Sequence, residues 1–407
     1  MCEVVDIKSC YASKLPTELL DKIFSYLPLK HLLKSRKVCV RWKVIVDRTI
    51  NSDDAWKRFC RIDFCDCYEI ARAKSKAILE WSHIYKSLYM WSKLASAIER
   101  KDEFAGAGRI SQEIRHLEVL GNGLIGIQRK SSVEYYDTDT LILSKRDPIR
   151  GDYARYTENS NVIVILSYHH HLFFVQKVQS RLVQKHLAIN NVKMFLLAGT
   201  DIYYVTLHDE IYYINDIRKD MVNPQSIKQS EAHDGVMCLG YKNGCLNILT
   251  CQRDIYTVVD NKMMVFKQSL NTEPNILDVL HKYNFLEQLD WRVYFQWMFV
   301  LNHSVPEGPM RNIIVIRPYG DVFFVGTQFG VLYIYYKPYT NDKLDLFNKK
   351  PVKVFSFMER SDIPVLTNCP ILQIDVLETG WGHHVFVAMP KKVVVLKFSH
   401  NYIYYEP

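Results

Sequence analysis

From residue 111 onward the sequence breaks into short runs of Val, Ile, Leu, Phe and Tyr, each closed by turn residues. Residues 115–146 give HLEVL, LIGIQ, SVEYY and TLILSK, and residues 151–188 give DYARYT, NVIVILSY, LFFVQKV and RLVQKHL. Further groups occupy residues 192–217, 235–268, 312–357 and 370–399. The β-branched and aromatic residues that fill these runs favour strands. Three or four runs recur about every 40 residues. One such group is a small sheet with two apolar faces, and it can cover them only by packing on neighbouring groups.

That constraint predicts an all-β domain over residues 111–407, arranged as a β-propeller of about seven blades. The layout resembles that of WD-repeat propellers, although no Trp-Asp dipeptide closes a strand. Residues 275–310, HKYNFLEQLDWRVYFQWMFVL among them, have mixed periodicity and read as a blade interrupted by a helix or insertion. A pair of β-sandwiches is the alternative architecture. Gly121-Asn122-Gly123-Leu124-Ile125-Gly126 has dinucleotide-loop spacing, but the residues after it alternate like strands instead of opening a helix. It reads as a hairpin turn.

The first quarter follows a different period. In residues 15–27, Leu15, Leu19, Leu20, Ile23, Phe24 and Leu27 recur at helical spacing. Pro16 stands where a helix begins, and Pro28 ends that helix and opens the next. Leu29, Leu32, Leu33, Val38, Cys39 and Trp42 continue the apolar set, and a third helix carries Trp42, Ile45 and Val46. Cys39 reads as a small buried side chain. Three helices this short have little interior, so part of the apolar surface must face a partner or the next domain.

The string Leu15-Pro16-x-Glu18-Leu19-Leu20-x-x-Ile23-Phe24-x-x-Leu27, with Pro28-Leu29, Leu32-Leu33, Arg36 and Val38-Cys39-x-x-Trp42 after it, resembles an F-box, and Trp56-Lys57-Arg58-Phe59-Cys60 resembles the segment that follows one. This places an F-box at residues 12–60. The resemblance implies docking on the Skp-family adaptor of an SCF, cullin–RING, ubiquitin ligase. Leu15, Pro16, Leu19, Leu20, Ile23, Phe24, Leu27, Leu29, Leu32, Leu33, Val38, Cys39 and Trp42 are then the expected adaptor contacts. Residues 69–104 read as continuing helix, with Ile78, Trp81, Ile84, Tyr85, Leu88, Trp91 and Leu94 on one stripe. Residues 61–110 are thus expected to be a helical linker, similar to those joining an F-box to a propeller. The fold class is multidomain α plus all-β.

Charge divides along the same boundary. Residues 1–110 hold 21 Lys and Arg against 14 Asp and Glu, while the remainder is nearly balanced at 31 against 30. A basic helical unit suits an acidic protein surface. No helix face carries the Arg, Asn and Gln set that reads base edges, so nucleic acid is not an expected partner. No apolar run approaches the roughly 18 residues of a membrane span. The start of the chain lacks a basic leader before an apolar stretch, which points to the cytoplasm and/or the nucleus.

Catalytic and metal-binding patterns are missing from the sequence. His169-His170-His171 reads as a solvated turn, and Cys60, Cys65 and Cys67 lack zinc spacing. The expected role is therefore a non-catalytic receptor without cofactor or metal. If each blade runs as four strands, the turns between second and third strands share one rim. Arg129, Lys130, Arg253, Phe329, Lys391 and Lys392 lie on those turns. Closure of the ring would bring Arg129 and Lys130 beside Lys391 and Lys392, a basic patch suited to an acidic or phosphorylated protein target. A scaffold that recruits the adaptor without ubiquitination is the competing function.

Overall fold

The computed structural model describes residues 15–400, apart from 77–78, 179–180, 220–222, 229–234, 274, 294–311, 338–345, 347–348, 358–368 and 381. Six helices open the chain: α1 (Thr17–Ser25), α2 (Leu29–Ser35), α3 (Val40–Ile50), α4 (Asp53–Asp63), α5 (Tyr68–Lys74) and α6 (Trp81–Met90). Pro16 and Pro28 each stand immediately before a helix, as their missing N–H allows. Cys39 is not core filler. It caps α3, its sulfur accepting from the Trp42 amide at 3.5 Å.

Six four-stranded antiparallel sheets follow. The first is built from Ile114–Leu120, Leu124–Arg129, Ser132–Asp137 and Ile149–Arg150. The second holds Tyr153–Glu158, Val162–Ser167, Leu172–Val178 and Arg181–Ile189, and the third Val192–Ala198, Asp201–Thr206, Ile211–Ile214 and Gln225–Ser226. Val236–Lys242, Cys245–Thr250, Asp254–Val259 and Met263–Ser269 form the fourth, and Ile313–Tyr319, Val322–Thr327, Val331–Tyr336 and Lys353–Ser356 the fifth. The sixth contains Gln373–Thr379, Gly382–Ala388 and Val393–Ser399, and its fourth strand comes from before the first sheet: Ile98–Phe104 pairs antiparallel with Val393–Ser399.

That strand corrects the reading of residues 98–104 as helix. Its charged side chains alternate along a sheet edge, Lys101 pairing in register with Leu396 and Phe104 with Val393. The run TLILSK is also not a full strand. Asp137 accepts from the Asp139 and Thr140 amides, a local turn that leaves Ile142 and Leu143 exposed. Around 275–310, where a blade was expected, α7 (Ile276–Lys282) packs on the fourth and fifth sheets, and residues 294–311 lie outside the described part. Six sheets are thus formed among the described residues, against about seven expected from the repeat length.

Each sheet covers its apolar faces with those of its neighbours. Leu120 and Tyr135 of the first meet Tyr156 and Ile163 of the second. Further shared cores join second to third, third to fourth, fourth to fifth, and fifth to sixth. Leu117 and Ile127 of the first also pack with Phe386 and Val395 of the sixth. Strands Val162–Ser167 and Val322–Thr327 are buried at every residue, which explains why their sequences are apolar up to the final Ser or Thr.

The helices join the fifth and sixth sheets through a common core. Trp91, just past α6, stacks on His383 at 3.9 Å and donates its indole N–H to Glu378 at 2.7 Å. Ser87 hydrogen-bonds the same carboxylate. Glu378 also accepts from His383 Nδ1 at 2.7 Å, so one buried carboxylate satisfies three groups, two from the helical segment and one from the sixth sheet. Trp91 is therefore a core anchor, and the linker is held firmly to the sheets.

Candidate functional site

The first candidate surface is the outside of α1–α3. Within this small unit Leu20, Phe24, Leu29, Leu32, Ile45 and Val46 are buried and form its interior, with Phe24 edge-on to Trp42 at 5.1 Å. Leu20, Phe24, Leu29 and Leu32 therefore cannot contact a partner directly. Their expected role as adaptor contacts is corrected to that of core. Leu19 and Ile23 are 48% and 46% exposed, and Pro16 is also exposed. They lie three and four residues apart, so they form one ridge along α1, which Tyr26 extends. Leu15, Leu27, Leu33, Cys39 and Trp42 are half-buried at its margins, and Val38 is exposed.

A second ridge was missed in the sequence. Val40 and Val44 are 79% and 63% exposed on α3, one turn apart. The spacing carried the signal: Ile45 and Val46 take the inward positions of α3, so apolar residues at 40 and 44 have no interior to enter. Arg41 donates to the Leu15 carbonyl at 2.6 Å and Arg48 to Asp21 at 2.5 Å, which fixes α3 against α1. Each Leu, Ile or Val that a partner covered here would contribute at most roughly 1.5–3 kcal/mol, since part of its surface is already buried.

The second candidate surface lies across the sheets. The helices touch the turns between first and second strands. A Cβ at Gly121 would meet the Ala73 carbonyl at 2.7 Å, and one at Gly320 would meet the Cys67 sulfur at 2.9 Å. Lys242 pairs with Asp66 at 3.4 Å. Hairpin geometry puts the turns between second and third strands at the other end of each sheet. All six expected site residues are on those far turns, yet they do not form four uncommitted cations. Arg129 is 6% exposed. Its guanidinium donates to Glu134 at 2.7 Å, to the Ala105 carbonyl at 3.1 Å, to the Tyr136 hydroxyl at 3.2 Å and to the Gln112 carbonyl. It fastens the chain between the strand Ile98–Phe104 and the first sheet.

Lys392 pairs with Glu103 at 2.9 Å, and the Ala107 amide donates to the Lys391 carbonyl at 2.7 Å. The first and last sheets thus do bring residue 129 and residues 391–392 to one segment, 103–114, but carboxylates and carbonyls there take up much of the charge. Lys130 stays exposed. A shallow depression of about 490 Å³ is lined by Glu103, Phe104, Gly106–Gly108, Lys391 and Lys392. Arg253 and Phe329 are on the fourth and fifth sheets, and Phe329 is 40% exposed. His170 occupies its turn with a φ of 63° and its Nδ1 lies 3.1 Å from the Val192 carbonyl. Among the described residues no three His, Cys, Asp or Glu converge as metal ligands, and no helix is long and apolar enough to cross a membrane.

Residues 12–62 match the F-box-like family, so an F-box-like domain precedes the array of sheets. No curated protein matches the chain. Among solved structures, the N-terminal domain of Nup159 is 9% identical with a TM-score of 0.37, covering 71% of this chain and 76% of that one. The computationally designed Ika8 protein is 8% identical at 0.40, covering 70% and 83%. The extracellular domain of the putative hybrid two component system BT4673 from B. thetaiotaomicron is 11% identical at 0.42, covering 73% and 40%. Likeness this slight carries no functional meaning.

Proposed function

We propose that this chain is the substrate-receptor subunit of an SCF-type, cullin–RING ubiquitin ligase. The helical unit docks on a Skp-family adaptor, and the six sheets form a closed propeller that holds the target protein. The observation that carries the reading is the coincidence of the F-box-like match with two uncovered apolar ridges, Leu19–Ile23–Tyr26 and Val40–Val44. The basic excess of residues 1–110 suits an acidic adaptor surface.

Propeller closure is supported by the six shared cores and by the strand Ile98–Phe104, which completes the last sheet from the start of the array. The turns at the end away from the helices are the open face for a target, with Lys130, Arg253, Phe329 and Lys391 the residues to test. Such a receptor is not an enzyme itself. It raises the local concentration of target lysines at the ligase's charged conjugating subunit, in the cytoplasm or nucleus.

Affinity capture of the full chain from cells under proteasome blockade tests this directly. Adaptor, cullin and RING subunits should co-purify, and ubiquitinated target should accumulate. Recovery of the adaptor without cullin or RING subunits would establish the scaffold function instead.

A further inference from the structure

A polar chamber of about 140 Å³ lies between the first strands of the sheets. In the first and second sheets those strands carry a bulge one residue in, at Ile114/His116 and Tyr153/Arg155. Beyond the bulge, His116 and Glu118, and likewise Arg155 and Thr157, alternate into the chamber wall.

The charges there are not all matched. Asp375 pairs with Lys74 of α5 and lies 3.4 Å from Arg317, and Glu287 pairs with Arg317. Arg155 has no carboxylate at ion-pairing distance among the described residues. Its guanidinium donates to the Gln288 amide oxygen at 2.5 Å and lies 5.2 Å from the centre of the Phe195 ring, which presents it to the cavity. A guanidinium in such a place calls for an anion.

The chamber is reached from outside. It shares Leu196, Leu197, Glu287, Gln288 and Arg317 with a cleft of about 770 Å³ between α4–α5 and the sheets. That volume is of the size that takes several peptide residues, whereas the chamber takes one small group. We propose that the cleft binds a peptide whose carboxylate, a C-terminus or an acidic side chain, enters the chamber and pairs with Arg155. This site is distinct from the far turns, and it needs no adaptor.

Glu118 is the second residue of the site. It accepts from the Glu158 amide at 3.0 Å and faces Lys74, Asp375, Glu158 and Arg155. Burial, with Asp375 and Glu158 adding to it, pushes this carboxyl up to about 7 despite Lys74. Protonated, it can donate to the incoming carboxylate, whereas ionised it repels it. His116, held at about 4 by burial and by Arg155, is neutral beside them.

The test incubates the full chain with three degenerate heptapeptide pools: one with free C-termini and no Asp or Glu, the same pool amidated, and an amidated pool carrying one Asp. At least one carboxylate-bearing pool should be retained about tenfold over the acid-free amidated pool, and Arg155→Gln should remove that margin. The retained pool identifies the source of the carboxylate. Retention by the wild type should also rise about tenfold between about pH 8 and 6, and Glu118→Gln should flatten the rise. Because Arg155→Gln could disturb folding, displacement of bound peptide from the wild type by excess acetate, but not by chloride of equal ionic strength, is the second measurement. Equal retention of all pools, no retention of any, or indifference to acetate would overturn the site. Adaptor docking would stand in each case.

Discussion

The helical unit and the sheets solve the burial problem in opposite ways. In α1–α3 the interior is filled by six or so side chains, and further apolar residues remain outside: Leu19, Ile23, Tyr26, Val38, Val40 and Val44 are all at least 46% exposed. Each sheet instead covers its faces with the next sheet, and the last shares a core with the first. A unit of some three dozen residues has too little volume for its apolar content, while an array of sheets makes its own cover. The lesson is that the two regions break differently. The sheets cover one another, and the helices leave apolar side chains uncovered.

The sharpest break is at the closing strand. A fragment beginning at residue 106 lacks Ile98–Phe104, leaving Val393–Ser399 an open edge next to a buried core. It should be insoluble or melt without cooperativity. A soluble 106–407 fragment with a single sharp transition would show that the array closes without that strand.

Next in size is the anchor between the regions. Trp91→Ala empties a fully packed site and removes a donor to Glu378, and should cost about 3–5 kcal/mol in denaturant melts. A loss below about 1 kcal/mol would mean that linker and sheets are only loosely joined.

Acid should act on the sheets. Burial holds His116, His281, His384 and His400 at about 4, against about 6.5 in the unfolded chain. Between those values the unfolded state binds the extra protons, so stability falls as pH drops from about 6.5 to 4. Glu118, raised to about 7, acts in the opposite sense, and one carboxyl does not offset four imidazoles. The melting temperature should therefore fall between about pH 7 and 5. A melting temperature unchanged between about pH 7 and 5 would contradict it.

The smallest effect on stability should come from the helical ridges. Ile23→Ala and Val40→Ala, at exposed positions, should shift stability by no more than about 0.5 kcal/mol. A larger loss would mean that these residues are internal cover like those of the sheets.

Helix positions, the strand runs and the F-box-like pattern were legible because each depends on local spacing. Leu15–Leu27 reads as a helix from its period alone, and Val162–Ser167 as a buried strand from its unbroken apolar run. The closing strand was not legible. IERKDEF is charged at all five of its central positions, and only pairing with a segment nearly 300 residues away makes it a strand. Arg129 misled for a related reason: a cation beside a turn suggests solvent, and its carbonyl partners at Ala105 and Gln112 come from the fold. The expected adaptor contacts mixed ridge with core, since Leu19 and Leu20 differ only in which side of α1 they take. The chamber left a faint trace, polar residues at alternate places in HLEVL-type strands, whose meaning depends on the bulges that aim them.

The central claim is that the exposed ridges of α1 and α3 exist to be covered. Titration of a purified Skp-family adaptor against the full chain and against Ile23→Asp/Val40→Asp, with thermal melts in parallel, tests it most directly. The native chain should bind tightly, and the variant should lose at least about a hundredfold, as two apolar contacts give way to desolvated charges. The melting temperature should barely move. Undiminished binding by a folded variant would contradict it.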